Sequence, residues 1–256
     1  MSAQQTLFNA FAALHVPGDP LVLFNVWDAG SALAVKRSGA KAIATGSYSV
    51  AKANGYEDGE NTPLDLVIEN AGRILRAVDL PVTIDFETGY GSTPEMVAAS
   101  LSRLLDAGIV GANIEDGRLD GDGMTSIDTQ MTRLQALVSA RSSTGVPAWI
   151  NARTDVFLVT PADKHSEHLQ EAIERGAAYA EAGAHGFFVP GLADLDLIAE
   201  ICEASSLPVN VMASGKGPSV SDFANTGVAR VSFGGHPWRL MMKKLADEAA
   251  KAIAQP

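Results

Sequence analysis

Eight short apolar runs recur along the chain: LVLFNV from Leu21, AIATG from Ala42, VTIDF from Val82, VGANIED from Val110, PAWINAR from Pro147, GFFVP from Gly186, PVNVMA from Pro208 and VARVSF from Val228. They are rich in Val and Ile and short enough for buried strands. Longer Ala/Leu-rich stretches separate them, with apolar residues three and four apart, as in amphipathic helices. In SGAKAI, DAGIVGANI, EAGAHGFFV and NTGVARV a helix ends at Gly and a strand follows. Gly suits a helix C-cap because it tolerates positive φ. VDLPVTI, STGVPAWI and SSLPVNV place Pro at the first residue of a strand, where its missing N–H costs least. TPLDLVIENAGRILRAV and TPEMVAASLSRLLDAG open with Thr-Pro, a Thr N-cap followed by Pro at the first helical position.

Eight strand–helix units in 256 residues fit a TIM (β/α)8 barrel formed by residues 1–256 as one domain. HPWRLMMKKLADEAAKAIAQ supplies its last helix. A doubly wound sheet is the alternative, but no Gly-rich dinucleotide fingerprint follows the first strand.

Composition narrows the class. With 46% apolar and 19% charged residues the chain is too apolar for intrinsic disorder. Thirty acidic residues against 19 basic ones give a net charge of −11. An acidic chain without a Lys/Arg cluster is a poor nucleic-acid or anionic-membrane binder. The single cysteine, Cys202, excludes a disulfide framework and reads as a small core residue. No secretory signal and no apolar stretch long enough to span a membrane is present, so a cytoplasmic protein is expected.

A barrel carries its active site at the C-terminal ends of its strands. Those ends hold Asn25, Trp27 and Asp28, then Thr45, Gly46, Ser47 and Tyr48, then Asp85 and Glu87, then Glu115 and Asp116, then Asn151 and Arg153. The opposite ends are Pro, Gly and Ala. Asp85 and Glu87 lie two apart on a strand and so face one side, with Glu115 at the end of the next strand. Three converging carboxylates repel unless a cation or protons offset them. Oxygen ligands without nearby His or Cys favour Mg²⁺ or Mn²⁺ over Zn²⁺; a solvated acidic rim is the plain alternative. Arg153 either grips a substrate carboxylate bidentately or pairs with these acids. His15, His165 and His168 read as solvated, and His185 lies at the wrong end of the barrel. His236 is a site candidate, and ASGKGPS with FGGH invites a phosphate-site reading.

IDFETGYG together with GANIEDG resembles the paired motifs of the phosphoenolpyruvate mutase / isocitrate lyase superfamily. NVWDAGSALAVKRSGAKAIATGSYSVA, NGYEDGE and INARTD extend the resemblance from Leu21 past Phe233. It implies a barrel that binds Mg²⁺ and a 2-oxo acid or its enolate. Asp85 then matches the direct metal ligand, and Asp58, Glu87 and Glu115 match positions that hold metal-bound waters. Thr45, Gly46 and Ser47 match the segment that binds substrate oxygens, with backbone N–H groups near Gly46 as an oxyanion hole. Arg153 matches the contact to the substrate carboxylate. Asp58, Arg153 and Tyr48 are the candidate catalytic groups, with Trp27 and Asn151 added to the substrate contacts. The resemblance also implies a homo-oligomer, dimer or tetramer, that exchanges the last helix.

Departures from the family pattern bear on the reaction. Isocitrate and methylisocitrate lyases carry a Lys-Lys/Arg-Cys-Gly-His loop after the Glu-Asp motif, where this chain reads GRLDGDGMTS. Phosphonate-acting members carry a His near the end of strand 6, where Val189-Pro190-Gly191 stands, and Glu87 replaces the usual Asp. The expected activity is Mg²⁺-dependent C–C cleavage of a small 2-oxo acid of oxaloacetate type. The alternatives are P–C chemistry on phosphonopyruvate or phosphoenolpyruvate, which Asp120 and Asp122 in the 117–126 loop would oppose by repulsion, and a non-catalytic 2-oxo acid-binding protein.

Overall fold

The computed structural model describes residues 2–119 and 123–254. All eight apolar runs form strands: β1 (Leu21–Leu23), β2 (Ile43–Ala44), β3 (Val82–Asp85), β4 (Gly111–Glu115), β5 (Trp149–Arg153), β6 (Gly186–Val189), β7 (Val209–Met212) and β8 (Arg230–Ser232). They are parallel, in the order β1-β8-β7-β6-β5-β4-β3-β2. The sheet curls into a TIM-like barrel whose seam lies between β1 and β2. A single parallel bridge, Val26 to Thr45, spans it beyond the strand ends. Asn25 staples the same seam. Its Nδ2 donates to the Thr45 carbonyl (2.8 Å), and its Oδ1 accepts from the Phe233 and Gly234 N–H groups (2.8 and 2.9 Å).

The α-helices are α1 (Ala3–Ala13), α2 (Ala29–Arg37), α3 (Ser47–Ala53), α4 (Leu64–Ala77), α5 (Pro94–Ala107), α6 (Ile127–Ser139), α7 (Val156–Val159), α8 (Leu169–Glu181), α9 (Leu195–Ala204), α10 (Val220–Asn225) and α11 (His236–Ile253). Gly39, Gly108, Gly183 and Gly227, each just beyond a helix, adopt positive φ, as their helix-to-strand position demands. Thr93 caps α5 as expected, accepting from the Met96 N–H, with Pro94 behind it. The matching expectation for α4 is corrected. There Pro63 occupies the cap position and Thr62 turns its side chain inward, 2% exposed.

Inside the barrel the side chains stack in layers. At the N-terminal end Leu21, Leu23, Ala42, Ala44 and Trp149 form an apolar floor, closed from below by Phe11 of α1. Above it lies a buried polar belt of Asn113, Asn151, Asn210, Arg230 and Ser232. Asn151 donates to Asn113 (2.9 Å) and Asn210 (3.0 Å), and Arg230 donates to Asn113 (3.1 Å). The register sets Asp85 beside Asn113 and Glu115 beside Arg153. Alternation along each strand therefore brings Asp85, Glu115 and Arg153 onto the inner face at the C-terminal mouth.

Two histidine expectations fail. His15 is 8% exposed, stacked on Trp149 with ring centroids 4.4 Å apart. It belongs to the α1 plug. His165 is also buried, with Nε2 against the Thr160 carbonyl (3.1 Å). His185 does lie at the N-terminal end, where its Nδ1 accepts from the Ile150 N–H (3.1 Å).

Candidate active site

The site is assembled around Asp85, the last residue of β3. One carboxylate oxygen, Oδ2, accepts from the Ser47 hydroxyl (3.0 Å) and the Ser47 N–H (3.3 Å). Thr45 Oγ1 accepts from the Asp85 N–H (3.2 Å). The segment from Thr45 to Ser47 thus cradles Asp85. The Gly46 N–H donates to the Val26 carbonyl. These two N–H groups are spent within the chain, which corrects the expectation of a free oxyanion hole at Gly46.

The other oxygen, Oδ1, is buried without a hydrogen-bond partner and lies 3.9 Å from Arg153 Nη1. A buried acceptor left open in this way is costly unless something occupies it. Behind Asp85, Ser47, Thr62, Asn70, Glu87 and Tyr90 line a cavity of about 10 Å³, room for about one water.

Arg153 is the cationic centre. Nη1 meets Glu115 Oε2 at 2.5 Å, and Nε and Nη2 hold Asp155 bidentately at 2.5 and 3.0 Å. Burial works against its charge, but Glu115, Asp155 and Asp85 outweigh that and raise its pKa. Burial pushes the Glu115 carboxyl well above the ordinary carboxylate range, and Arg153 opposes the shift. Asp155 was not singled out in the sequence. Nor was the network behind it, in which the Asp155 N–H donates to Asp116 Oδ1 (2.9 Å). Asp116 Oδ2 accepts from Tyr179 (2.6 Å) and Arg175 (3.1 Å) of α8. The only sequence signal was the Glu-Asp pair itself, because α8 meets it through tertiary packing.

Glu87, in the loop after β3, is 3% exposed, and its carboxylate reaches across to the segment before α4. It accepts from the Glu60 N–H and from the Tyr90 hydroxyl (3.2 Å). Burial first, then the charge of Asp85, lifts its pKa to about 7. Glu60, Glu87 and Tyr90 all adopt left-handed φ, of 57°, 52° and 53°. Such backbone costs roughly 1–3 kcal/mol for each non-glycine residue. Asp58, on the outer rim, has its pKa raised by partial burial and then by Asp85, with the Ser47 side chain opposing the shift.

Three further candidates are committed to contacts within the chain. Asn151 lies in the polar belt below the mouth, 1% exposed, with its amide N–H groups committed to Asn113 and Asn210. Trp27 stands edge-on to Trp238, with centroids 5.2 Å apart, and lines the groove between α2 and α11. The Tyr48 ring packs against Gly235 and under the Arg239 guanidinium, 5.3 Å from its centroid. His236 packs its ring against Gly215. Asp120 and Asp122 lie outside the described residues. Cys202 is half-buried in α9, and burial lifts its thiol to about 11.

Among the described residues no three His, Cys, Asp or Glu side chains form a ready-made metal cage. The donors that do converge are hard oxygens around one open carboxylate oxygen. That fits Mg²⁺, which takes one or two carboxylates and keeps several waters.

A TIM-like barrel with Asp85, Glu115 and Arg153 at its C-terminal mouth defines an enzyme of the α/β-barrel class. The sequence model described as phosphoenolpyruvate phosphomutase matches residues 11–254, and the chain belongs to that family, within the phosphoenolpyruvate mutase / isocitrate lyase superfamily. It is 44% identical to a Burkholderia cenocepacia J2315 protein provisionally named a phosphonomutase, with a TM-score of 0.94 over 97% of this chain and 99% of the other. It is 30% identical to 2-methylisocitrate lyase of Escherichia coli (strain K12) over 78% of this chain and 68% of that protein. In fold alone it resembles phosphonopyruvate hydrolase solved with oxalate and Mg²⁺, at 20% identity and a TM-score of 0.82 over 98% of this chain and 87% of the other. No helix among the described residues is long and apolar enough to cross a membrane.

Proposed function

We propose that the protein is a Mg²⁺-dependent lyase that breaks a C–C bond in a small 2-oxo acid of oxaloacetate type. The observation that carries this reading is Asp85, anchored through one oxygen by Ser47 while the other is buried and open, 3.9 Å from Arg153. Mg²⁺, or Mn²⁺ in its place, would be held by Asp85, with Glu115 and Asp58 to receive its waters; Glu87, the fourth candidate, instead accepts from Glu60 and Tyr90. When bound, the cation supplies Lewis-acid stabilisation to negative charge on the substrate's keto oxygen.

Arg153 binds the 2-oxo acid's carboxylate. Glu115 and Asp155 engage three of its N–H groups. A guanidinium has five, so one on each terminal nitrogen remains for the substrate. Asp155 keeps the fork from rotating, and Asp116 holds Asp155 through its N–H. In the oxaloacetate case the C3–C4 bond breaks, CO₂ leaves, and the electron pair passes to C3 and the keto oxygen. The resulting pyruvate enolate takes a proton at C3.

P–C chemistry is the second reading, favoured by the 44% identical relative's provisional name. Against it, the end of β6 offers Val189 and Pro190, both buried and apolar, where a phosphonate would need a donor.

Calorimetric titration of oxalate, an enolpyruvate mimic, with and without Mg²⁺ tests the site. Binding should require Mg²⁺ and disappear in Asp85→Ala. Metal-independent binding, or turnover retained in that variant, would refute the assignment. Pyruvate release from 2-oxo acids and phosphorus NMR on phosphonopyruvate then separate the two chemistries. Mg²⁺-dependent binding with turnover in neither assay would mean a non-catalytic 2-oxo acid-binding protein.

A further inference from the structure

The segment joining α3 to α4, residues 54–63, has no regular structure and carries Asp58. Two residues after Asp58, Glu60 fastens this segment to the loop that follows β3. Its N–H donates to the Glu87 carboxylate. Its own Oε1 accepts from the Thr88 hydroxyl (2.6 Å) and from the Tyr90 N–H (2.9 Å).

The receiving side is rigid. Thr88 is 4% exposed, the Tyr90 ring stacks on buried Phe86 with centroids 5.5 Å apart, and Tyr90 donates from its hydroxyl to Glu87. Three of the four residues that make the junction, Glu60, Glu87 and Tyr90, are the non-glycine residues with positive φ among those described. A backbone bent in this way persists where surrounding contacts over-determine it, and such positions cluster at ligand clamps and switch regions. Here the over-determining contacts are the four hydrogen bonds of this junction. On the free side of the segment, Asp58 lies close enough to the site for Asp85 to raise its pKa and for Ser47, the residue that anchors Asp85, to lower it.

We propose that Glu60 is a positioning residue: through Thr88, Tyr90 and Glu87 it latches the 54–63 segment and so sets Asp58 against Ser47 and Asp85. The inference rests on the reading above, in which Asp58 serves the metal site. It also gives Glu87 a distinct task. The extra methylene of Glu over Asp carries its carboxylate out to the Glu60 N–H, so this side chain holds the segment that bears Asp58.

The test compares Glu60→Ala, which deletes the acceptor, with Glu60→Gln, which keeps Oε1. Hydrogen–deuterium exchange over residues 55–61 reports the latch, and calorimetry of oxalate in saturating Mg²⁺ reports the site. Glu60→Ala should speed exchange in that segment and weaken oxalate binding about tenfold, the scale of lost second-shell support in metal sites. Glu60→Gln should restore most of both. In an Asp58→Ala background, Glu60→Ala should cost no further affinity.

Unchanged exchange in Glu60→Ala refutes the latch. Faster exchange with unchanged affinity, or a loss that adds fully to that of Asp58→Ala, refutes the positioning role. Wild-type affinity in Asp58→Ala itself refutes the reading of Asp58, and the exchange data then decide the latch separately.

Discussion

Arg153 has more acid around it than one charge can neutralise, with Glu115, Asp155 and Asp85 all within 4 Å. That excess suits a site completed by a divalent cation. It also makes the shape of the guanidinium decisive. A lysine would keep the charge but cannot hold Asp155 bidentately while meeting Glu115 and a substrate carboxylate. Arg153→Lys should therefore weaken Mg²⁺-dependent oxalate binding tenfold or more, since a charge-assisted hydrogen bond contributes about 1.5–3 kcal/mol. Equal calorimetric affinities for the variant and the parent would move Arg153 to a purely structural role. Asp85, Glu115 and Arg153 were legible in the sequence because each ends a strand and strand alternation aims them inward. Asp155 was not, although it is only two residues from Arg153, because its carboxylate turns back upon the arginine. Asn151 misled for the same geometric reason. Two positions before Arg153 it shares the inward face, but one layer deeper, where it binds Asn113 and Asn210.

The strands and their order follow from their apolar runs and the Gly or Pro that bounds them. The contacts of α1 do not, since it meets the barrel in part through residues about a hundred or more positions away, Trp149 and the Leu105 and Ile109 carbonyls among them. His15 shows the consequence. Its Nδ1 lies 2.9 Å from the Phe11 carbonyl, and its ring is sealed against Trp149. Burial first, and then the charge of Arg230, depresses its pKa from 6.5 to about 3. The native state thus prefers neutral His15. The unfolded chain takes up a proton below about pH 6.5, so this contribution is complete above that pH and is lost as the pH falls toward 3. Within that window the slope approaches about 1.4 kcal/mol per pH unit for a single group. Replacing the ring by an apolar one, His15→Phe, should flatten the acid limb of stability between pH 6 and pH 4, measured by urea unfolding. Parallel curves for the two proteins would show that His15 titrates normally and that α1 does not seal the floor.

Helix α11 poses the question of assembly. It runs for 18 residues, yet Pro237 is its buried residue. Leu240, Met241, Leu245 and Ile253 are 38–83% exposed. In a closed barrel the outer face of each strand is covered by a helix, but on β1 Val22 is 41% exposed, with Phe24 beyond it at 36%. Between these two open surfaces runs a groove of about 510 Å³, with Trp27, Val35, Pro237, Met241 and Met242 among its lining residues. Fully burying each large apolar side chain contributes about 1.5–3 kcal/mol, so two such surfaces on one chain favour mutual burial between copies. We propose a homo-oligomer in which α11 covers the β1 side of a neighbouring subunit. Light scattering behind size exclusion should give a dimer or tetramer of the 26.7 kDa chain. Leu245→Glu, which puts a charge on a 62% exposed leucine of α11 that lines the groove, should shift the mass toward the monomer. Because the Asp85 site lies inside one barrel, that shift should leave Mg²⁺-dependent oxalate binding measurable. A wild-type mass of 26.7 kDa across the working concentration range would refute the assembly. Loss of binding in step with loss of mass would instead make α11 part of the site's support, through Tyr48, which packs under Arg239 at the start of that helix.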